Sequence, residues 1–135
     1  MIILVVDGMG GGLGKSVIEL LKSCKLKKGS EIIAVGTNSV ATANMMKAGP
    51  DGGATGENAI SFNASRADYI IASAGMIIGN SMQGEVTPTI ASAISCSDAH
   101  KILIPIGKYD AVFLGTNKST LSEVLNQIKS IIERA

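Results

Sequence analysis

The sequence predicts an α/β fold, a three-layer sandwich built on a mostly parallel five-stranded sheet. Short β-branched runs alternate with stretches of helical periodicity along the 135 residues, which is the pattern of an α/β protein. The strand-like runs are apolar throughout, which indicates burial on both faces. The 16 glycines are scattered without a repeat, as the tight turns of such a fold require. The chain contains no internal repeat or linker, so we expect a single domain over residues 1–135.

The N-terminal part begins with an apolar run at 2–6 that glycines follow directly, which predicts a buried strand. The apolar residues then recur at helical spacing, which predicts a helix from Gly14 that ends before Gly29. The apolar face of this helix consists of Val17, Leu20, Leu21 and Cys24. A second strand at 31–36 and a second helix at 39–48 follow.

The middle of the chain is rich in glycine and harder to interpret. Residues 51–58 are polar and glycine-rich and are predicted to form a loop, followed by a short helix at 59–63. A third strand is predicted at 68–72, whereas residues 73–86 show no clear period. The next helix spans 87–96, because it begins with Thr-Pro, an N-cap followed by proline at the first helical position.

The C-terminal part predicts two more strands and one helix. A fourth strand at 101–106 contains Pro105, which lacks an N–H and therefore belongs at the end of the strand or at a sheet edge. A fifth strand is predicted at 109–114. The link between these strands is only two residues long, so the fifth strand can form a hairpin and run antiparallel at an edge. The last helix spans 119–134.

Composition excludes several classes of partner. The net charge is +1, aromatic residues make up 3%, and there is no Trp, so neither nucleic acid nor an anionic membrane is an expected partner. No apolar run approaches membrane-spanning length, and the short apolar start lacks the basic residues of a signal peptide. Cys24 and Cys96 fit no metal-binding spacing, so we expect no metal site and two buried free thiols in a cytoplasmic protein.

The most informative stretch is DGMGGGLGKS at 7–16, which follows a buried strand and opens a helix. In this context a glycine-rich turn lets backbone N–H groups approach an anion, and the helix N-terminus adds its positive dipole end. Lys15 opposes that dipole in the first turn, which makes sense if it neutralises a phosphate. The predicted phosphate-binding residues are Gly8, Gly10, Gly11, Gly12, Gly14, Lys15 and Ser16.

Two phosphate-binding patterns compete for this turn. Gly8, Gly12 and Gly14 fit the G-x-x-x-G-x-G turn of short-chain dehydrogenases, which bind dinucleotides, although Asp7 stands where those enzymes usually have Thr. The end of a P-loop also fits at 14–16, but its first glycine position is occupied by Met, and no later strand ends in the Asp that organises magnesium. A purely structural tight turn is the third interpretation.

The residues after the second strand bear on which dinucleotide could bind. An NAD site has a carboxylate there for the ribose, whereas this chain has Thr37, Asn38 and Ser39. These side chains can bond a ribose or a 2′-phosphate, or simply cap the second helix, so NAD and NADP both stay open. The Tyr and Lys of short-chain dehydrogenases are absent at their spacing. Glu57 and Glu85 are the candidate general acid or base residues, with stabilisation of helix ends as the alternative.

Several motifs together resemble one known family. These motifs are DGMGGGLGKS, VGTNSVATANMMKAG, ATGENAI, GEVTPTIASAI and KILIPI. They are similar to a group of short bacterial proteins with a Rossmann-like fold, catalogued only as a domain of unknown function. The resemblance covers essentially the whole chain and implies a Rossmann-like sheet, but it brings no activity, substrate or catalytic residue.

The sequence therefore predicts a small cytoplasmic protein that binds a phosphate-bearing small molecule, a dinucleotide above others, at residues 8–16. The reaction, if there is one, stays unknown. A non-catalytic ligand sensor or assembly subunit and a degenerate P-loop NTPase are the alternatives. The irregular apolar segment 75–84 also predicts a homodimer with this segment or the last helix at the interface, because a single small core does not bury such a segment easily. The alternative is that Ile77 and Ile78 pack under the sheet edge as a lid on the ligand cleft.

Overall fold

The computed structural model describes residues 1–115 and 119–135, which form five strands and five α-helices. The strands are β1 (Ile2–Asp7), β2 (Glu31–Gly36), β3 (Gly52–Thr55), β4 (Tyr69–Ser73) and β5 (His100–Ile104). The helices are α1 (Gly12–Ser23), α2 (Ser39–Met46), α3 (Glu57–Ala64), α4 (Pro88–Ser95) and α5 (Leu121–Glu133). A short 3₁₀ helix, Ala74–Ile77, directly follows β4.

The five strands form one sheet in the order β3-β2-β1-β4-β5, and every neighbouring pair is parallel. The α/β class and the Rossmann-like parallel sheet are thereby confirmed. The chain builds outward from β1 through β2 to β3 and then crosses back to β4 on the other side of β1. The order therefore reverses between β1 and β4, and this crevice at the carboxyl ends of the strands is where open α/β sheets bind ligands.

Helices cover both faces of the sheet. Ile3 and Val5 of β1 pack with α1, α2 and α5, while Leu4 and Val6 pack with α3 and α4. All four side chains are at most 1% exposed. The two-sided burial explains why the β1 sequence is continuously apolar rather than alternating.

One edge strand lies where the sequence predicted a loop. The segment Gly52–Thr55 pairs with β2 as β3, although glycine disfavours strands. The side chain of Met46 on α2 lies over Gly53, and a Cβ at Gly53 would displace the Met46 sulfur. Backbone pairing and this close approach of α2 hold the strand, and neither leaves a side-chain pattern.

The predicted fifth strand at 109–114 was wrong, because these residues form no strand. Tyr109 packs over Gly75 at the end of β4, where a Cβ would lie 3.0 Å from the tyrosine ring. This contact directs the chain across the carboxyl edge of the sheet instead of back along β5. Val112 and Leu114 are left 87% and 93% exposed.

Three other expectations concern thiols, membranes and metals. Both cysteines are free, but the predicted burial was wrong for Cys96, which is exposed, while Cys24 is half-buried. Within the described residues, every helix is too short or too polar to span a bilayer. Within the same ranges, no three His, Cys, Asp or Glu side chains lie close enough together to hold a metal ion.

Candidate functional site at the carboxyl edge of the sheet

Asp7 holds the glycine-rich turn by hydrogen bonds on its inner side, which is the side of the Gly8 and Gly14 N–H groups. It is the last residue of β1 and only 7% exposed. Its Oδ1 accepts a hydrogen bond from the Gly8 N–H at 2.7 Å, and its Oδ2 accepts one from the Gly14 N–H at 2.6 Å. Burial raises the pKa of Asp7; the two N–H groups oppose this rise, and the nearby Glu85 charge adds to it. The carboxyl group therefore closes the turn and occupies two of its donors.

Apart from Gly8, where a Cβ would meet the side chains of Glu85 and Thr37, the glycines of the turn fall into two groups. A Cβ at Gly14 would lie 2.9 Å from the Asp7 Cβ and 3.0 Å from the Met45 Cγ, so only glycine fits. Gly11 has φ +74° and lies against the backbone of α2. By contrast, a Cβ at Gly10 or Gly12 would meet nothing within 4 Å. The first group is required for packing and backbone conformation, whereas the second leaves a surface open.

Glu85 reaches the turn from the segment that follows the 3₁₀ helix. Its Oε1 accepts hydrogen bonds from the Met9 N–H at 2.7 Å, the Thr37 hydroxyl at 2.5 Å and the Asn38 amide at 2.7 Å. Burial acts to raise the pKa of Glu85, but these three hydrogen bonds outweigh it and lower the pKa. An ionised carboxylate thus lies at the end of β2, where the sequence showed none.

The end of β2 is bonded closely to the glycine turn. The Thr37 N–H donates to the Asp7 carbonyl at 3.0 Å, and the Asn38 side-chain amide donates to the Met9 carbonyl at 3.0 Å. The Asn38 Oδ1 also accepts from the Ala41 N–H at 2.8 Å and so caps α2. Ser39 is exposed in the first turn of that helix.

A cavity of about 190 Å³ lies between the turn and the segment that follows β5. Its lining residues are Asp7, Gly8, Met9, Gly10, Gly11, Gly12, Leu13, Ser73, Met82, Ile106, Gly107 and Lys108. Within the described residues, the N–H groups of Gly10, Gly12 and Leu13 have no hydrogen-bond acceptor. The Ser73 hydroxyl has no partner there either, although Ser73 is only 2% exposed. The cavity therefore combines unpaired donors with one cation, the exposed Lys108.

Comparison with known proteins identifies the family. A family model described as Domain of unknown function (DUF3842) matches residues 2–135. The chain belongs to this family. No curated protein and no solved structure matches it. The match covers every residue of the cavity, and it confirms the family resemblance carried by the sequence motifs.

In this DUF3842 chain, most predicted glycines lie at the cavity but two predicted side chains do not. Gly8, Gly10, Gly11 and Gly12 line it, while Gly14 packs beneath the turn. The Lys15 ammonium lies 3.9 Å from the Glu19 carboxylate, with both side chains well exposed, so this ion pair contributes little. The Ser16 hydroxyl donates to the Gly12 carbonyl at 3.1 Å.

The two candidate carboxylates have different surroundings. The Glu57 Oε2 accepts from the Thr87 hydroxyl at 2.6 Å and so joins the start of α3 to the cap of α4, away from the cavity. Glu85 lies against the turn. Lys108 and Met82 are cavity residues that sequence reasoning missed, because their placement depends on how the loops after β4 and β5 fold over the sheet edge.

A larger groove of about 530 Å³ lies between β5 and α5. It contains none of the predicted site residues. The ammonium group of Lys101, which lines it, is already bonded to the carbonyls of Ser97 and Ala99 at 2.6 and 3.0 Å. The predicted glycines and the buried, unpaired hydroxyl of Ser73 both lie at the smaller cavity, which is therefore the better candidate.

Proposed function

We propose that the protein binds a phosphate-bearing nucleotide, a dinucleotide above others, with a phosphate group at the N-terminus of α1. The observation that carries the proposal is the set of unpaired donors around the cavity. The N–H groups of Gly10, Gly12 and Leu13 and the Ser73 hydroxyl suit phosphate oxygens, and the helix dipole adds a positive potential.

The charges around the cavity set where the phosphate goes. Lys108 favours an anion, whereas the carboxyl groups of Asp7 and Glu85 disfavour one. Both oxygens of Asp7 are directed to inner N–H groups, so the phosphate belongs on the outer side of the turn, at Gly10 and Gly12. With two carboxyl groups nearby, we expect modest affinity for the phosphate alone.

The glycine geometry favours a dinucleotide over a P-loop ligand. Gly8 lies where the turn begins, Gly12 opens to the cavity, and Gly14 allows close packing of α1, which are the three roles that a dinucleotide turn needs. Lys15, which a P-loop would direct at the phosphates, does not line the cavity. NAD and NADP are the cofactors to test first.

Non-catalytic binding is the form of this function that the candidate acid and base residues favour. Glu57 is bonded to Thr87 away from the cavity, and in the ligand-free chain the Glu85 Oε1 accepts three hydrogen bonds, which hold this carboxylate at the turn. A ligand sensor or an assembly subunit fits that arrangement, and the ligand-bound protein is then expected to show no turnover.

Calorimetric titration and thermal shift with NAD, NADP, ADP and inorganic pyrophosphate test the binding proposal. A ligand at roughly 100 times its Kd is expected to stabilise the fold by about 2.7 kcal/mol. Ser73→Ala is expected to weaken binding about fivefold, since one hydrogen bond contributes about 1 kcal/mol. No shift with any of the four ligands would contradict the proposal.

The chain offers a matched control for Ser73. Ser30 also has a hydroxyl that is unpaired among the described residues, but it precedes β2 at the opposite edge of the sheet. Ser30→Ala is therefore expected to leave ligand affinity unchanged. Equal weakening by both substitutions would place the ligand elsewhere.

A homodimer and a cytoplasmic location belong to the same proposal. Met76 is buried, and Ile77 and Ile78 are half-buried, so the segment 75–84 exposes less apolar surface than the sequence suggested. The highly exposed Leu114 is a second candidate for the interface. Sedimentation equilibrium of the wild type, Ile78→Glu and Leu114→Glu tests both positions, and a monomeric wild type at tens of micromolar would exclude the dimer.

A further inference from the structure

Three hydrogen-bond donors from two separate loops converge on one oxygen atom, Oε1 of Glu85. They are the backbone N–H of Met9, the hydroxyl of Thr37 and the side-chain amide of Asn38, all within 2.7 Å of that oxygen. Such a set of donors suits an anionic oxygen of any source, a phosphate as well as a carboxylate. Here the anion is part of the chain itself.

The segment that carries Glu85 has a strained backbone. Asn80, Met82 and Gln83 have φ of 66°, 56° and 56°, a region that side chains other than glycine rarely adopt. Such conformations persist only where surrounding contacts hold them, and they are common at ligand clamps and switches. The contacts here include the Met82 N–H to the Lys108 carbonyl and the bonds of Glu85. The Glu85 bonds are thus among the contacts that hold this segment in place.

An independent observation points to a ligand beside these donors. The cavity next to them is walled by Met82 of the same segment, and Ser73 lies in it with a buried hydroxyl that has no partner within the described residues. A buried hydroxyl without a partner costs stability unless a ligand or water satisfies it. Because Met82 belongs both to the cavity wall and to the segment 80–85, a ligand in the cavity would contact this segment.

We propose that Met9, Thr37 and Asn38 form a subsite for a second anionic group of the ligand, and that Glu85 occupies this subsite when the ligand is absent. The proposal rests on the proposed function, since the first anionic group is the phosphate at α1. The ligand class is then a molecule with at least two anionic groups, such as a diphosphate. Its binding displaces the Glu85 carboxylate and moves the segment 80–85 away from the turn.

Titration calorimetry of the full chain with inorganic pyrophosphate tests the subsite. Glu85→Ala removes the internal anion, and we expect pyrophosphate to bind about tenfold more tightly. Adding Thr37→Val to that variant removes one donor of the subsite, and we expect it to cancel most of the gain. Glu31→Ala is the matched control, because it removes the same charge from an exposed residue at the opposite edge of the sheet, and we expect less than about a twofold change.

Glu85→Gln serves if Glu85→Ala does not fold, because it keeps the acceptor oxygen and removes only the charge. A smaller gain is then expected, and Thr37→Val is again expected to cancel it. A gain that survives Thr37→Val would mean simple charge repulsion and would overturn the subsite, as would no gain at all.

The two proposals fail differently. If wild type binds pyrophosphate and Ser73→Ala weakens binding while the Glu85 variants show no gain, only the subsite is wrong. If neither wild type nor any variant binds pyrophosphate or a nucleotide, both proposals are overturned.

Discussion

The inner and outer sides of the glycine turn differ in what their backbone donors do. On the inner side, the N–H groups of Gly8 and Gly14 are bonded to Asp7, and Gly14 packs where no side chain fits. On the outer side, the N–H groups of Gly10 and Gly12 have no acceptor in the described chain, and a Cβ at either position would meet open space. A single glycine motif therefore contains positions that are packed against the fold and positions that leave open space beside the turn.

The inner side should be the more sensitive to a methyl group. Gly14→Ala places a Cβ within 3.0 Å of both Asp7 and Met45, and such overpacking costs about 3 kcal/mol. Alanine's higher helix propensity offsets about 1 kcal/mol, so we expect a net loss of about 2 kcal/mol. Urea unfolding measures this loss, and an unchanged midpoint would mean that the inner side is not tightly packed.

The inner carboxyl group should matter next. Asp7→Asn leaves one of the two bonded N–H groups facing an amide nitrogen, and an unpaired buried N–H costs about 1–2 kcal/mol. The pKa of Asp7 is raised above its ordinary 3.8, so its contribution is fully present below that value and falls as pH rises through the folded pKa. Urea unfolding should therefore show that Asp7→Asn has a lower free energy of unfolding than wild type, and that this difference becomes smaller from acidic to neutral pH. A difference that widens would contradict the raised pKa.

Glu85 should show the opposite pH dependence. Its pKa is lowered from the ordinary 4.5, so its contribution is present above that value and is lost as pH falls through the folded pKa. Glu85→Gln is thus expected to be less stable than wild type at neutral pH, with the gap closing at acidic pH. Parallel unfolding curves of the two carboxyl variants across pH measure the contrast. The same pH dependence of the stability difference for both variants would contradict the opposite pKa shifts of Asp7 and Glu85.

The sequence predicts a helix or strand correctly where the physical cause of that element lies in neighbouring residues. The apolar run of β1 and the Thr-Pro start of α4 are both found as predicted, since burial on two faces and capping leave marks in neighbouring residues. The strand Gly52–Thr55 leaves no such mark, because backbone pairing to β2 and the approach of α2 stabilise it. The run at 109–114 is the opposite case: it is rich in strand-forming residues, yet it forms no strand, and Tyr109 packs over Gly75.

For the candidate site, the position of the glycine turn could be predicted from the sequence, whereas the contacts of the side chains around it could not. A glycine turn after a buried strand predicts an open backbone at this place, and a Cβ at Gly12 meets nothing within 4 Å. The bond between Glu85 and Thr37 joins residues 48 positions apart, and nothing local in either segment specifies it. The unpaired state of Ser73 likewise depends on which loop covers the end of β4.

On the outer side of the turn, we expect an added methyl group to leave the stability of the fold unchanged and to weaken ligand binding. Gly12 is exposed at the first position of α1, and a Cβ there meets nothing within 4 Å. Gly12→Ala is therefore expected to leave the free energy of unfolding unchanged or to raise it by up to about 1 kcal/mol. The same methyl group would lie where a phosphate approaches the turn, so we expect nucleotide affinity to fall at least about tenfold.

Unfolding and titration of the same Gly12→Ala preparation separate the two sides, with Gly14→Ala as the inner counterpart. In Gly14→Ala the folded fraction should bind ligand with near-normal affinity, because the added methyl group lies beneath the turn. If Gly12→Ala unfolds the protein while its folded fraction binds normally, the outer glycines are structural as well. The open donors of the cavity would then have to be explained without a ligand.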